Sequence, residues 1–308
     1  MDSHLIDLIR ELCRAVTERG REFWWLKAEI NRAFEEQGYH LLPRHFYSPI
    51  PDPATIAAHN WGAETFPLSK LRFDEAACFD LCRRLRAHAH DIEGLPGADA
   101  AGYYWNNPMF TGLDAIGLYG LIREFAPQRI VEIGSGFSTH LSLHALRRNG
   151  RGRLTAIEPY PSDKLRELTS ELELVTSKLQ DTPRSLFETL ESNDILFIDS
   201  SHVSAMDSDV NLEILQLLPA LSQGVLVHVH DIFFPRDYPK HWVDDRRWFW
   251  NEQYLLYAFL LCNPSFEVLL PVQYLIGERW NETAAMFTPF RHDVRSGASI
   301  WLRRVAGR

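Results

Sequence analysis

The fold is decided by one stretch, Arg129-Ile130-Val131-Glu132-Ile133-Gly134-Ser135-Gly136-Phe137-Ser138-Thr139-His140. An apolar run ends at two glycines, and the residues after them can open a helix. Doubly wound α/β sheets place such a turn between a buried strand and a helix N-terminus, where backbone N–H groups face a nucleotide-like ligand. The stretch therefore predicts a Rossmann-like α/β sheet with a ligand site after this strand.

The glycine pattern differs from that of a dinucleotide-binding turn. A dinucleotide fingerprint has a third glycine three residues after the second, and this chain has Thr139 there. Glu132 stands two residues before Gly134, where a dehydrogenase is normally apolar, and its carboxylate favours a ligand with a positive charge. A structural turn that binds nothing is the alternative at this point.

Further apolar runs predict the remaining strands. One of them ends at Glu158, about 20 residues after the glycines, which is the spacing at which a second strand offers its acid to two ribose hydroxyls. The last two runs have no long helix between them, so we expect a terminal antiparallel hairpin on an otherwise parallel sheet. The runs lie at 154–159, 174–181, 194–202, 224–231, 266–270 and 298–304.

Composition excludes several classes of protein. The net charge is −9 and no basic stripe is visible, which argues against nucleic acid as a partner. No apolar stretch reaches the roughly 20 residues of a membrane span, and the N-terminus lacks a basic region followed by an apolar one. We therefore expect a cytoplasmic protein with no membrane partner. Four cysteines in 308 residues do not form a disulfide framework.

The first part of the chain, residues 1–98, is predicted to be a mainly helical extension, followed by the main domain at 99–308. Apolar residues recur at helical spacing from 5 to 34, which indicates core packing or a homo-oligomer contact between N-terminal helices. Four prolines between residues 43 and 53 predict an irregular connector.

The order of motifs resembles a known family. It runs Trp105-Asn106-Asn107-Pro108-x-Phe110, Asp114-Ala115, Glu132-Ile133-Gly134-Ser135-Gly136-Phe137-Ser138-Thr139, Ile198-Asp199-Ser200-Ser201-His202 and His228-Val229-His230-Asp231. Over roughly residues 103–275 this is similar to class I methyltransferases that use S-adenosylmethionine (SAM), grouped as methyltransferase domain family 24. The resemblance implies a Rossmann-like methyltransferase sheet and SAM as methyl donor, and it leaves the acceptor open.

The resemblance also implies which residues hold SAM. The glycine turn and its flanks take the methionine part, Glu158 the ribose, and Asp181 or the preceding Gln180 the adenine, although both of these can equally be solvated turn residues. Trp105 and Asn106 cap the methionine part, or their aromatic segment instead joins the extension to the sheet. The predicted cofactor-binding residues are Glu132, Gly134, Ser135, Gly136, Thr139, Glu158, Asp181, Trp105 and Asn106.

Polar residues at two strand ends predict the acceptor side, because the carboxyl ends of parallel strands meet in one crevice. Asp199-x-x-His202 is similar to the element of metal-dependent catechol and macrolide-sugar O-methyltransferases in which aspartate holds magnesium and the later residue takes the hydroxyl proton. The resemblance implies His202 as base beside Asp199, and Asp199, His230 and Asp231 as ligands of Mg²⁺ or another divalent metal. An imidazole ligand suits zinc, iron or manganese better. A metal-free site that only hydrogen-bonds the acceptor is the alternative.

Aromatic residues after the fifth strand predict a lid over the acceptor, since Trp and Tyr stack on sugar and aromatic faces. The candidates are Tyr238, Trp242, Trp248 and Trp250, with Arg236, Arg246 and Arg247 as grips for an anionic group. A hydrophobic plug or dimer surface is the alternative.

The sequence as a whole predicts SAM-dependent O-methylation of a small polar acceptor such as a sugar, glycan precursor or natural product. Two other functions stay open: an Asp/His metalloenzyme, oxygenase or hydrolase, on the same fold, and a catalytically silent partner subunit.

Overall fold

Seven strands form one mixed sheet in the order β3-β2-β1-β4-β5-β7-β6. In the computed structural model, β1 to β5 are parallel, and β7 lies antiparallel between β5 and β6. This confirms the predicted methyltransferase sheet with its antiparallel C-terminal strands. The strands are β1 Arg129–Ile133, β2 Arg153–Ile157, β3 Glu173–Val175, β4 Ile195–Ile198, β5 Leu226–His230, β6 Phe266–Pro271 and β7 Ser299–Arg304.

The structure describes residues 3–22, 24–42, 44, 46–97, 102–288 and 290–307. Fourteen α-helices occur in this part of the chain. They are α1 Ser3–Glu22, α2 Trp24–Glu35, α3 Pro53–Ala58, α4 Glu75–Glu93, α5 Gly112–Phe125, α6 Phe137–Asn149, α7 Asp163–Arg166, α8 Ser185–Glu188, α9 Asp209–Leu212, α10 Leu218–Ala220, α11 Lys240–Asp244, α12 Glu252–Leu261, α13 Val272–Gly277 and α14 Trp280–Phe287.

The chain divides into two compact units, residues 1–59 and 60–308. The first contains α1 to α3, and α3 begins after Asp52, whose Oδ1 accepts hydrogen bonds from the backbone N–H groups of Ala54 and Thr55. The second contains the sheet together with α4. The predicted boundary between residues 98 and 99 lies outside the described residues, as do Pro43 and His45 of the predicted connector, so that boundary stays a prediction.

The sheet is buried on both faces by two apolar layers. Alternate residues of the strands face a layer that includes α4, α5 and α6 on one side, and a layer that includes α9, α10 and α12 on the other. Burial on both faces explains why the sequence of β4 is apolar throughout, and it encloses His228 and His230 among the apolar residues of β5. The layers fix the strand ends, and the polar residues that follow those ends form the candidate site.

No helix among the described residues combines the length and apolar character needed to cross a membrane. Cys78 and Cys82 are buried free thiols on α4.

Candidate functional site

The glycine turn joins β1 to α6 and lies directly against the end of β4. Gly134 has φ +78°, and a Cβ added there would lie 1.9 Å from the carbonyl oxygen of Asp199. Only glycine fits both the left-handed backbone and this close approach. At the next step of the turn, the Gly136 N–H donates to Thr139 Oγ1 over 3.0 Å. Thr139 therefore caps α6, and its side chain is fully buried.

Glu132 lies beneath the turn as a buried carboxyl group on the face of β1 that packs against α6. Its Oε1 accepts a 2.6 Å hydrogen bond from Ser138 Oγ, and its Oε2 has no partner among the described residues. Burial raises the pKa of Glu132 to about 8 in spite of the hydrogen bonds that it accepts. The Oγ of Ser135 likewise has no partner within the described chain. A positively charged ligand group is the natural complement of such a carboxyl.

A cleft of about 330 Å³ opens beside the turn, between the ends of β1, β2 and β4. Glu158 lines it, and one carboxylate oxygen accepts from the Tyr160 N–H over 2.9 Å, which leaves the second oxygen free for a ligand. Gln180 also lines the cleft, whereas the exposed Asp181 does not. The lining consists of Ile133, Gly134, Ile157, Glu158, Pro159, Tyr160, Lys178, Leu179, Gln180, Asp199, Ser200, Ser201 and Asp209.

Trp105 and Asn106 are not among the residues that line this cleft. The Trp105 indole N–H donates to the Ile92 carbonyl over 3.0 Å, and the ring stacks on His292 at 4.8 Å. Asn106 is exposed. The contacts of Trp105 join the end of α4 to the segment before α5, which matches the structural alternative stated above. A role of either residue in binding SAM stays a prediction.

Three predicted polar residues meet where β4 and β5 end. The Nε2 of His202 lies 3.4 Å from Asp199 Oδ1 and 3.6 Å from Asp231 Oδ2. One oxygen of each carboxylate and one imidazole nitrogen lie within 4.8 Å of one another, a spacing that could hold a metal ion. His202 and Asp231 both adopt the left-handed backbone region, with φ +60° and +53°. Strained non-glycine residues of this kind cluster at functional sites.

His230 lies next to this cluster. Its Nδ1 lies 3.3 Å from His228 Nε2 and 3.9 Å from Asp114 Oδ2, and its Nε2 lies 3.9 Å from Asp231 Oδ1. The role of His230 as a metal ligand stays a prediction. Burial lowers the pKa of His228 well below its usual value, so this core histidine is neutral.

The protonation states at the cluster follow from burial and from the nearby imidazoles. Burial opposes ionisation of Asp199, but His230 and His202 outweigh it and lower its pKa to about 2. Burial raises the pKa of Asp231 to about 6, although the same histidines act against the shift. For His202, burial favours the neutral ring, but hydrogen bonds to Asp199 and Glu252 raise its pKa well above the usual value. The cluster thus holds the ionised carboxylate of Asp199 beside the His202 ring, whose affinity for a proton is raised.

The predicted lid forms an aromatic column against His202. The Arg246 guanidinium lies 4.7 Å over Trp248, which stacks on Trp250 at 4.8 Å, and Trp250 contacts the His202 ring at 4.3 Å. Trp242 meets both stacked indoles edge-on, at 5.3 and 5.0 Å. The faces of Trp250 are thus taken by Trp248 and His202, so the column is a wall beside the imidazole.

Two other predicted acceptor residues have partners within the fold. Tyr238 is buried, and its hydroxyl accepts a hydrogen bond from the Gln253 N–H over 3.2 Å. Arg236 forms an ion pair with Glu278. Contacts of these residues with an acceptor stay predictions.

Glu252 and Glu213 are buried beside His202, and the sequence pattern gives neither of them a role. Glu252 Oε2 lies 2.8 Å from His202 Nδ1, although the two residues are 50 positions apart. A glutamate in the first turn of a helix is ordinarily explained by the helix dipole, so no local signal distinguishes Glu252.

Comparisons with known proteins agree with this geometry. The family model described as "Methyltransferase domain" matches residues 131–232. An uncharacterized protein from Archaeoglobus fulgidus is 32% identical over 177 residues, which make up 51% of this chain and 77% of that protein.

Two solved structures are also similar. The O-methyltransferase from Bacillus cereus in complex with SAH is 16% identical, with 79% of this chain and 99% of that chain covered at a TM-score of 0.39. A methyltransferase from Geobacter sulfurreducens is 17% identical, with 71% and 97% covered at a TM-score of 0.39. The matched residues 131–232 contain both the glycine turn and the Asp199–His202–Asp231 cluster. The chain belongs to this methyltransferase domain family and is a SAM-dependent methyltransferase.

Proposed function

We propose that the protein transfers the methyl group of SAM to a hydroxyl oxygen of a small polar acceptor, such as a sugar, a glycan precursor or a natural product. The observation that carries the proposal is the position of Asp199. This residue lines the cleft beside the glycine turn and also belongs to the polar cluster with His202 and Asp231. A donor in the cleft and an acceptor at the cluster would therefore be neighbours.

The donor side of the proposal rests on charge and shape. Glu132 offers an unpartnered buried oxygen to the cationic amino group of SAM, and the Gly134–Gly136 turn lets the cofactor approach the backbone closely. Glu158 accepts the ribose hydroxyls with its free oxygen. Gln180 is nearer to an adenine role than Asp181, because Gln180 lines the cleft.

His202 acts as general base in this proposal. The raised pKa of His202 means that the neutral ring, which is the form able to accept a proton, is favoured at higher pH. In that form, Nε2 takes the proton of the acceptor hydroxyl as the hydroxyl oxygen forms a bond to the methyl carbon. The bond between that carbon and the sulfonium sulfur breaks, and S-adenosylhomocysteine (SAH) leaves with the electron pair on sulfur. The enzyme mainly aligns the reacting atoms and removes one proton.

Asp199 and Asp231 would hold a divalent cation. The two carboxylates fit such an ion, because one oxygen atom of each lies within 4.8 Å of the other. Nε2 of His202 stays outside the coordination sphere in this proposal, since a ring nitrogen bound to the ion could not also accept a proton. When bound, the cation lowers the pKa of the acceptor hydroxyl, so that an imidazole suffices as base. His230 stays a proposed further ligand through Nε2, which lies 3.9 Å from Asp231 Oδ1.

The test is methyl transfer from labelled SAM to a panel of sugars and phenols, with and without a chelator. We expect activity to stop with excess chelator and to return with Mg²⁺ or Mn²⁺. Asp199→Asn should remove this response, and His202→Ala should slow transfer roughly 10²–10⁴-fold while SAH still binds. The exposed Asp245 offers the control Asp245→Asn, which should behave like the native protein.

The outcomes separate the parts of the proposal. Full activity in excess chelator would refute the cation, and an unimpaired His202→Ala variant would refute the base. SAH binding without methylation of any acceptor in the panel would favour a silent partner subunit. The cytoplasmic location and a homo-oligomer through the N-terminal helices stay predictions.

A further inference from the structure

The second ring nitrogen of His202 faces away from the crevice, toward the start of α12. There the Glu252 carboxylate lies with Oε2 at 2.8 Å from Nδ1. The Glu252 side chain is 1% exposed and is not among the residues that line the cleft. Any effect of Glu252 on the reaction therefore passes through His202.

The same short segment fixes His202 in two further directions. The Trp250 indole covers the imidazole at 4.3 Å between ring centroids. The backbone N–H groups of Asn251 and Glu252 donate to the His202 carbonyl over 3.1 and 3.2 Å. Asn251 Oδ1 also accepts from the Ser204 N–H, so the loop after β4 and the start of α12 are tied together. His202 is thus held by a contact at Nδ1, by a contact on one face of its ring, and by two hydrogen bonds to its backbone carbonyl. These contacts together are called the clamp.

The clamp determines which nitrogen faces the crevice. An ionised carboxylate only accepts hydrogen bonds, so with Glu252 ionised the proton of this contact lies on Nδ1 and points at Glu252. Nε2 is then the nitrogen that lies 3.4 and 3.6 Å from the Asp199 and Asp231 oxygens. A carboxylate behind an imidazole commonly sets the orientation and tautomer of the ring in this way.

We infer that Glu252 is a positioning residue that holds His202 with Nδ1–H toward its own carboxylate and with Nε2 toward the crevice. The inference rests on the proposed function, in which Nε2 of His202 takes the acceptor proton. Glu252 itself touches neither the donor cleft nor the Asp199–Asp231 pair in this arrangement.

Glu213 provides a matched control for Glu252. It is also fully buried, its Oε2 accepts from Ser200 Oγ over 3.1 Å, and it begins the π-helical segment Glu213–Leu217 between α9 and α10. Burial and the negative charge of Glu252 raise the pKa of Glu213 well above its usual value, so Glu213 is protonated. Glutamine has nearly the shape of a protonated glutamate, and Glu213→Gln should therefore preserve the packing.

The test is nuclear magnetic resonance of the histidine ring nitrogens in the full chain with SAH and excess Mg²⁺. His202 is assigned by the loss of its signals in His202→Asn. We expect a slowly exchanging Nδ1–H in the native protein and in Glu213→Gln. We expect this resonance to be lost in Glu252→Ala. A native protein whose His202 Nδ1 carries no proton would overturn the inference, and this result does not depend on any Glu252 variant folding.

Kinetics supply the second readout, with an acceptor found in the panel described above. Glu252→Gln should lower kcat at least about 10²-fold and change the Kd of SAH by less than about twofold, while Glu213→Gln stays near the native rate. A purely structural role of Glu252 would instead weaken SAH binding and lower kcat together in Glu252→Gln. If no acceptor in the panel is methylated, the proposed function fails, and the Nδ1–H resonance still tests Glu252.

Discussion

Replacing Gly134 by alanine tests whether the close backbone approach between the glycine turn and the end of β4 is needed for stability and for SAH binding. The added Cβ would lie 1.9 Å from the Asp199 carbonyl oxygen, whereas ordinary contacts begin at 3.4 Å, so the two segments must separate by about 1.5 Å. The Asp199 oxygen belongs to the backbone, so rotation of a side chain cannot relieve the clash. The separation would break the approach between β1 and β4 that positions Asp199.

Two energies add in this variant. An alanine at φ +78° carries left-handed strain of about 1–2 kcal/mol, and overpacking costs about 1–3 kcal/mol more. We therefore expect a loss of about 2–5 kcal/mol. In a unit of this size each kcal/mol lowers Tm by about 2–4 °C, so Tm should fall by about 4–20 °C. Binding of SAH should be lost as well, because Asp199 lines the cleft.

Gly136→Ala is the matched control, since its added Cβ meets nothing within 4 Å and its φ of −176° is extended backbone. The assays are thermal unfolding followed by tryptophan fluorescence, and calorimetry with SAH. Equal stability of the Gly134→Ala and Gly136→Ala variants would show that the contact with Asp199 does not constrain the turn, and the reasoning would fail.

Three further predictions concern the donor pocket and the aromatic column. Glu158→Ala should weaken SAH binding about ten- to a hundredfold, since a charge-assisted hydrogen bond contributes about 1.5–3 kcal/mol, and unchanged affinity in calorimetry would remove Glu158 from the ribose site. The raised pKa of Glu132, about 8, means that its contribution to stability is present below about pH 4.5 and is lost as the pH rises through 8. In Glu132→Gln the urea midpoint of unfolding should therefore fall less steeply as the pH rises across this window. A slope equal to that of the native protein would contradict the stated effect of burial on Glu132. Trp250→Ala should slow methyl transfer more than Trp248→Ala at unchanged SAH affinity, because only Trp250 contacts His202; loss of folded protein in either variant would favour the hydrophobic plug.

The sheet could be predicted from the sequence because burial on both faces imposes a local signal. The run that becomes β4 is apolar throughout, the run that becomes β5 is apolar apart from His228 and His230, and the glycine turn after β1 indicates a close backbone approach. Glu132 could be assigned for the same reason, since a carboxylate within an apolar strand must have a ligand, a partner or a proton. The signals lie within a few residues of the feature that they predict.

The orientation of the imidazoles at the polar cluster could not be predicted in the same way. Strand spacing brings His202 and His230 to the same edge, yet it does not tell that Nδ1 of His230 lies near His228 and Asp114 while Nε2 of His202 lies beside the two carboxylates. The direction of the His202 ring depends on the left-handed backbone conformation of His202. Histidine has no strong preference for that conformation, so the residue type does not predict it. Glu252 was missed because its contact spans 50 residues.

The strain at the two strand ends connects stability to chemistry. His202 and Asp231 each hold a left-handed conformation that costs on the order of 1–3 kcal/mol, and neither is glycine. The fold offsets this cost at His202 with two backbone hydrogen bonds from the start of α12 and a ring contact from Trp250. The same contacts orient the imidazole toward Asp199 and Asp231. The contacts that offset the strain thus also position the nitrogen proposed as general base, so substitutions of residues 250–252 should affect both stability and methyl transfer.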